Sequence, residues 1–312
     1  MNVPVFDLHC DTAYELIGLG AAKSSLRNNN LHIDLDRAST LPGYAQCFAC
    51  FTTPTPEYNP VDHFEKELSV IIREVEKNPD RIRLAYSAKE IEENKSNGIM
   101  SAILTIEGPA GFGFDPALLQ DLYCVGFRIS TLGWNEQNPL TGSHITGGGL
   151  TEQGREYVRE AQKLGMLIDV SHISDEAFWD IMKITQAPIL ATHSNSRHIC
   201  DVSRNLTDDM FRAICQTGGV AGINLYTNFI GGNSDLDALC DHIFHFMELD
   251  PTGKHIALGG DLDGCETLCD GIHGIQDYPT IADRLLQRGL TQKNVLDIFW
   301  NNAIGVIDKC CM

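Results

Sequence analysis

The 312-residue sequence predicts a (β/α)8 TIM barrel with extra C-terminal helices packed outside. Three observations carry that expectation. Short apolar, β-rich runs recur eight times. Segments with helical periodicity separate them. Five of the eight runs end in His, Asp or Glu.

The first run is Val3–Leu8, followed by Ala45–Phe51, Ser101–Ile106 and Val125–Leu132. The others are Met166–Val170, Pro188–Ala191, Val220–Leu225 and Ile256–Leu258. Helical periodicity is found over His63–Lys77, Pro116–Tyr123, Thr151–Leu164, Asp175–Ile184, Asp208–Gln216 and Leu236–Leu249. Thr151, Ser174 and Thr207 are each followed by acidic residues, which suits an N-cap beside the positive end of a helix dipole. Strands that alternate with helices pair in parallel through crossovers. A doubly wound open sheet is the competing arrangement, but no glycine-rich dinucleotide fingerprint follows the first run. Ile281–Gln287 and Thr291–Ile307 read as two further helices outside the barrel. There is no linker-like stretch and no repeat, so residues 1–312 are expected to form one domain.

The formal net charge of −19 argues against nucleic acid or an anionic membrane surface as a partner. No apolar run is long enough to span a bilayer and no basic leader precedes the first strand, so a cytoplasmic location is expected. Eleven cysteines lack a framework spacing and are expected as free thiols, buried at Cys47, Cys50, Cys124, Cys215 and Cys240. Cys47-x-x-Cys50 lies inside a strand and has no second pair to complete a zinc site. Cys310 and Cys311 are expected at the exposed tail.

Catalytic groups of a barrel sit at the C-terminal ends of its strands. His9 and Asp11 follow the first run, Glu107 the third, His172 the fifth and His193 the sixth. Asp261 and Asp263 follow the eighth. A His-x-Asp pair on a strand would point both side chains to one face. Three imidazoles with several carboxylates suit zinc, with manganese or cobalt as neighbours. The set is too rich for one tetrahedral ion. It fits two ions sharing a carboxylate, with Glu107 as the bridge. His32, His63, His144, His198, His242, His245, His255 and His273 are expected at the surface or around the ligands.

In this order, Asp7-Leu8-His9-Cys10-Asp11, Ile106-Glu107-Gly108, Asp169-Val170-Ser171-His172, Thr192-His193-Ser194-Asn195-Ser196, Ser203-Arg204-Asn205 and Gly259-Gly260-Asp261-Leu262-Asp263-Gly264 resemble the membrane (renal) dipeptidase family of metallopeptidases. The resemblance spans nearly the whole chain. It implies two Zn2+ ions, one held by His9, Asp11 and Glu107 and the other by Glu107, His172 and His193. It implies that Arg204, Tyr226 and Asn205 contact substrate and that Asp261 serves as the acid and base beside the nucleophile. Where mammalian relatives carry a substrate-contacting histidine, this sequence has Trp134.

The activity implied is hydrolysis of dipeptides, including those with a D-residue at the C-terminal position, by a hydroxide shared between the zinc ions. Arg204 would pair with the substrate carboxylate. A homodimer is among the assemblies the family adopts. Two rival readings share the barrel: an amidohydrolase acting on another C–N bond, and a binding protein whose metal site is structural. No lysine ends a strand run to serve as a carboxylated metal bridge, and every expected ligand is present.

Overall fold

All eight expected runs form strands in the computed structural model, which describes residues 1–20 and 25–311. They are β1 (Val5–Cys10), β2 (Tyr44–Phe51), β4 (Met100–Glu107), β5 (Phe127–Thr131), β6 (Leu167–Asp169), β7 (Ile189–Ala191), β8 (Val220–Ile223) and β9 (Ile256–Leu258). A further strand, β3 (Ile82–Leu84), was not legible in the sequence. It has three residues with the exposed Arg83 in the middle, too short to show a period.

Every strand pair is parallel. β1 lies between β2 and β9, and β2 pairs with β4 along its length, which closes an eight-stranded ring. β3 stays outside that ring, pairing only with the first residues of β4 (Ile82 with Met100, Leu84 with Ala102).

Strand parity sorts the core into two layers. Phe6, Leu8, Cys47, Ile103, Ile129, Leu167, Leu190, Val220 and Ala257 form an inner cluster, together with Trp300, Ala303, Val306 and Ile307. A larger outer cluster joins the opposite strand faces to the surrounding helices. Cys47 falls in the inner cluster and Cys50 in the outer one, so the two thiols cannot meet.

The C-terminal segment departs from expectation. It is helical from Gln292 to Cys310, with a π-helical turn at Asp297–Asn301; Trp300, Ala303, Val306 and Ile307 belong to the inner cluster, while Val295, Ile298 and Phe299 join the outer one. It plugs the amino-terminal end of the barrel, with Trp300 tilted against Phe6 at 6.0 Å between ring centroids. Cys311 is buried with this plug, not exposed, while Cys124 is exposed and Cys215 only partly buried.

The expected caps are present. Thr151, Ser174 and Thr207 accept hydrogen bonds from the backbone N–H of Gly154, Ala177 and Met210. The helix anticipated over Pro116–Tyr123 instead begins as a 3-10 turn, Pro116–Leu118, and continues as an α-helix over Leu119–Val125. Among the described residues no helix is long and apolar enough to cross a membrane.

Candidate active site

A cleft of about 570 Å³ opens at the carboxyl ends of the strands, lined by residues that include Asp11, Glu107, His172, Arg204 and Asp261. Glu107 ends β4 and shares the parity of Ile103, which lies in the inner cluster. Asp261 follows β9 with the parity of Ala257. Alternation along β4 thus aims Glu107 at the mouth, whereas Asp261, three residues past the end of β9, lines the cleft from a left-handed backbone position (φ 57°).

His9 and Asp11 arrive differently from the expected period-2 pair. His9 has the parity opposite to Leu8, and the register between β1 and β2 slips between Asp7 and Cys10. β1 ends at Cys10, and Asp11 is the N-cap of the Thr12–Gly18 helix (φ −107°, ψ 24°). A bulge and a turn, not alternation, bring His9 Nε2 to 3.3 Å from Asp11 Oδ2.

The two oxygens of Glu107 serve different neighbours. Oε2 lies 3.3 Å from His9 Nε2, and Oε1 lies 2.9 Å from His172 Nε2 and 3.7 Å from His193 Nε2. The carboxylate therefore spans two donor groups, His9–Asp11–Glu107 and Glu107–His172–His193. A third overlapping group is His9–His193–Asp261, with Asp261 Oδ1 3.9 Å from His9 Nε2.

The far nitrogen of each of two imidazoles is tied down. His172 Nδ1 meets Asn135 Oδ1 at 3.0 Å, an acceptor, so Nδ1 carries the proton and Nε2 is bare. Thr192 donates its hydroxyl to Asp169 Oδ2 (2.5 Å) and so accepts from His193 Nδ1 (2.7 Å), which bares that Nε2 as well. The two bare Nε2 atoms face one another at 2.9 Å. Two lone pairs at that separation repel unless a cation lies between or beside them. His9 Nε2 is also buried without a hydrogen-bond partner. A Cβ on Gly264 would stand 2.0 Å from Asp11 Oδ2 and 2.5 Å from Asp261 Oδ1, so only glycine fits beside these acids.

The electrostatics match this donor set. Burial raises the carboxyls of Glu107 and Asp261, and His9 pulls both partly back. Burial would lower His9, but Glu107 and Asp11 outweigh it and hold its pKa well above the ordinary imidazole range. His172 and His193 are pushed well down, first by burial and then by nearby positive charge. Three buried carboxyl groups, the imidazole of His9 and the two neutral imidazoles of His172 and His193 form a cage that favours divalent cations.

Three of the anticipated substrate contacts line the cleft. Arg204 is buried beneath it, with Nη1 3.4 Å from Ser194 Oγ, its guanidinium 5.2 Å from the Phe229 ring, and Nη2 lacking any partner. Trp134 stands edge-on to Phe51 at 5.1 Å. The Tyr226 hydroxyl accepts from Asn228 Nδ2 at 2.6 Å. Asn205 does not reach the cleft: its amide donates to the carbonyls of Cys200 and Phe229 and accepts from Asn195 N–H, all away from the mouth. Asp263 reaches the rim, but its oxygens accept from Thr12 Oγ1 and His32 N–H, both at 2.6 Å.

Sequence reasoning missed several contributors. Asn224 donates to Asp261 Oδ2 at 3.0 Å and leaves Oδ1 toward His9. Asn135 Oδ1 also receives His144 Nε2, at 2.9 Å. His144 lines the cleft, and burial followed by Arg204 pushes its pKa down to about 4. The only sequence signal for Asn224 is its parity with Val220 and Gly222 on β8.

The family model for membrane dipeptidase, peptidase family M19, matches residues 1–310. The chain belongs to the membrane dipeptidase family. As a member it is an enzyme, a metallopeptidase of the dipeptidase type. It is 33% identical over 264 residues to an uncharacterized protein encoded in the pqqA 5′ region of Klebsiella pneumoniae, a match covering 80% of this chain and 96% of the relative. It is 29% identical over 259 residues to an uncharacterized dipeptidase of Schizosaccharomyces pombe, covering 81% of this chain and 63% of that one. A metallo peptidase from Rhodobacter sphaeroides, solved with a phosphinate mimic of L-Ala-D-Ala, superposes with a TM-score of 0.91 at 22% identity, covering 99% of this dipeptidase and 100% of that chain. The solved structure of a family M19 metallo peptidase, dipeptidase AC, gives a TM-score of 0.91 at 24% identity, covering 100% and 99%.

Proposed function

We propose that this dipeptidase uses two zinc ions, one held by His9, Asp11 and Glu107 and the other by Glu107, His172 and His193. The reading rests on one observation above all: Glu107 offers one oxygen to each donor group. When bound, the cations supply the positive charge that acidifies a water and polarises the scissile carbonyl.

The chain's own residues do the rest. Asp261 Oδ1, left free while Asn224 holds Oδ2, takes the proton from the attacking water and passes it to the leaving nitrogen. Burial raises this carboxyl and so strengthens it as a base. Arg204 lines the cleft with its Nη2 lacking a partner, and it receives the C-terminal carboxylate of the substrate. A guanidinium fork matches a carboxylate where an ammonium would not. Tyr14, Phe51 and Trp134 give the cleft an apolar wall against which a small side chain packs. Dipeptides are the proposed substrates, with a D-residue accepted at the C-terminal position. The L-Ala-D-Ala mimic bound by the Rhodobacter sphaeroides peptidase supports that choice.

The test strips metal with a chelator, assays dipeptides with L- and D-residues at the second position, and restores zinc. Activity should vanish and return, with metal analysis giving two equivalents of zinc at the active site. Arg204→Lys should raise KM for free dipeptides by about 10- to 100-fold, from the 1.5–3 kcal/mol typical of a charged hydrogen bond. C-terminally amidated substrates should respond much less. Activity surviving complete metal removal defeats the reading.

A further inference from the structure

A second constellation of metal donors lies at the opposite end of the barrel. Cys215 is in the last turn of the Asp208–Thr217 helix, which leads into β8. Asp250 is the C-cap of the Leu236–Leu249 helix. His255 immediately precedes β9. One donor atom from each of these residues lies within 4.8 Å of the other two.

Two further observations distinguish this group from a chance cluster. Asp250 is 9% exposed, and its Oδ1 accepts from the N–H and hydroxyl of Thr252 (3.1 and 2.6 Å). Its Oδ2 is buried with no hydrogen-bond partner. A buried carboxylate oxygen without a donor is costly and calls for one. His255 Nδ1 donates to the carbonyl of Gly219 at 2.7 Å, which leaves Nε2 bare. A carbonyl that fixes the tautomer from behind is the usual support of a metal-ligating histidine.

We propose that Cys215 Sγ, Asp250 Oδ2 and His255 Nε2 take one divalent cation of the zinc class, with a water in the fourth position. Sulfur, nitrogen and oxygen donors together favour zinc over magnesium or calcium. Tetrahedral ligands sit about 3.3–3.8 Å apart, given bond lengths of about 2.0–2.3 Å, so a small side-chain adjustment from a spacing within 4.8 Å completes the site. Burial and the Asp250 carboxylate push the Cys215 thiol up to about 12, so it keeps its proton until a cation displaces it. The bound ion would clamp two helix ends to the start of β9, at the face of a barrel where residues serve stability.

The experiment compares the metal-loaded wild type with Cys215→Ser and His255→Gln. After dialysis against buffer, each variant should contain about one equivalent of zinc less than wild type and retain its dipeptidase activity. Protein reloaded with Co2+ should show thiolate-to-cobalt charge-transfer absorption in the near ultraviolet. None of the ligands proposed at the catalytic mouth is a thiol, so the band should vanish in Cys215→Ser. Equal metal content in all three proteins overturns the proposal. So does a band that is missing from wild type or persists in Cys215→Ser. If Cys215→Ser does not fold, His255→Gln and the wild-type cobalt spectrum decide the matter.

Discussion

At the amino ends of the strands, Phe6, Val220 and Ala257 meet Trp300, Ala303, Val306 and Ile307 in a dry apolar plug. At the carboxyl ends of the same strands, Glu107, Asp261 and three histidines crowd around a cleft. The backbone differs as sharply as the side chains. Of the five described non-glycine residues with positive φ, three are at the mouth: His172 (71°), Asp261 (57°) and Asp263 (67°). Among the described residues, neither the strands nor the C-terminal plug contains one. Strain collects where ligands must be aimed, and the rest of the structure holds it in place. One end of the barrel stores stability and the other spends part of it on preorganised chemistry.

Substitutions at the two ends should therefore fail in opposite ways. Asp261→Asn should cut turnover by about 10²–10⁴ while leaving metal content and melting temperature near wild type. Asparagine tolerates the left-handed backbone at this position, so loss of folding would break the contrast. Trp300→Ala should cost about 3–5 kcal/mol of unfolding free energy, read from denaturant melts, with turnover of the folded fraction unchanged. The indole is 1% exposed and donates to Glu92 Oε1, so the substitution leaves a cavity and removes that hydrogen bond.

Asn135→Ala should act between these extremes. Removing the acceptor that fixes the His172 tautomer should weaken metal binding by about 10- to 100-fold, measured by competition with a chelator. A change in turnover at saturating metal with unchanged metal affinity would place Asn135 in substrate contact instead.

The smallest effect sharpens the comparison from outside the mouth. Glu67 is fully buried behind β2, its Oε2 accepting from Phe51 N–H and its Oε1 2.9 Å from His63 Nε2. Burial raises its pKa well above the ordinary range, although the Phe51 N–H pulls the other way. Away from the metal donors of the mouth, this carboxyl is held toward its protonated form by burial. The unfolded chain releases that proton above about pH 4.3. Its contribution to stability is thus full below that pH and is lost as pH climbs toward the raised folded value. Glu67→Gln is uncharged at every pH. Its advantage over wild type should grow as pH rises above about 4.3, by no more than about 1.4 kcal/mol per pH unit. A constant difference across that range would mean that Glu67 is ionised in the fold.

Much of this arrangement was legible in the sequence. Each barrel strand announced itself by an apolar run, and His9, Asp11, Glu107, His172, His193 and Asp261 each follow such a run, where barrels place their chemistry. What was not legible depends on distant neighbours. β3 is too short to carry a period. Asn205 has the polarity of a substrate contact, but three backbone groups of its own loop and its neighbours consume its amide. Asn135, Asn224 and Thr192 look like ordinary polar residues until the fold sets them behind a histidine or an acid.

The sequence by itself determined the alternation of strand and helix, the caps and the identity of the charged groups at the strand ends, because these follow from local periodicity and short-range hydrogen bonding. Only the tertiary structure decided which nitrogen of each imidazole is bare, how a bulge and a helix cap bring His9 and Asp11 together, and that the last helix stoppers the barrel. Those outcomes depend on contacts between residues up to about three hundred positions apart, and close packing, not local preference, selects them.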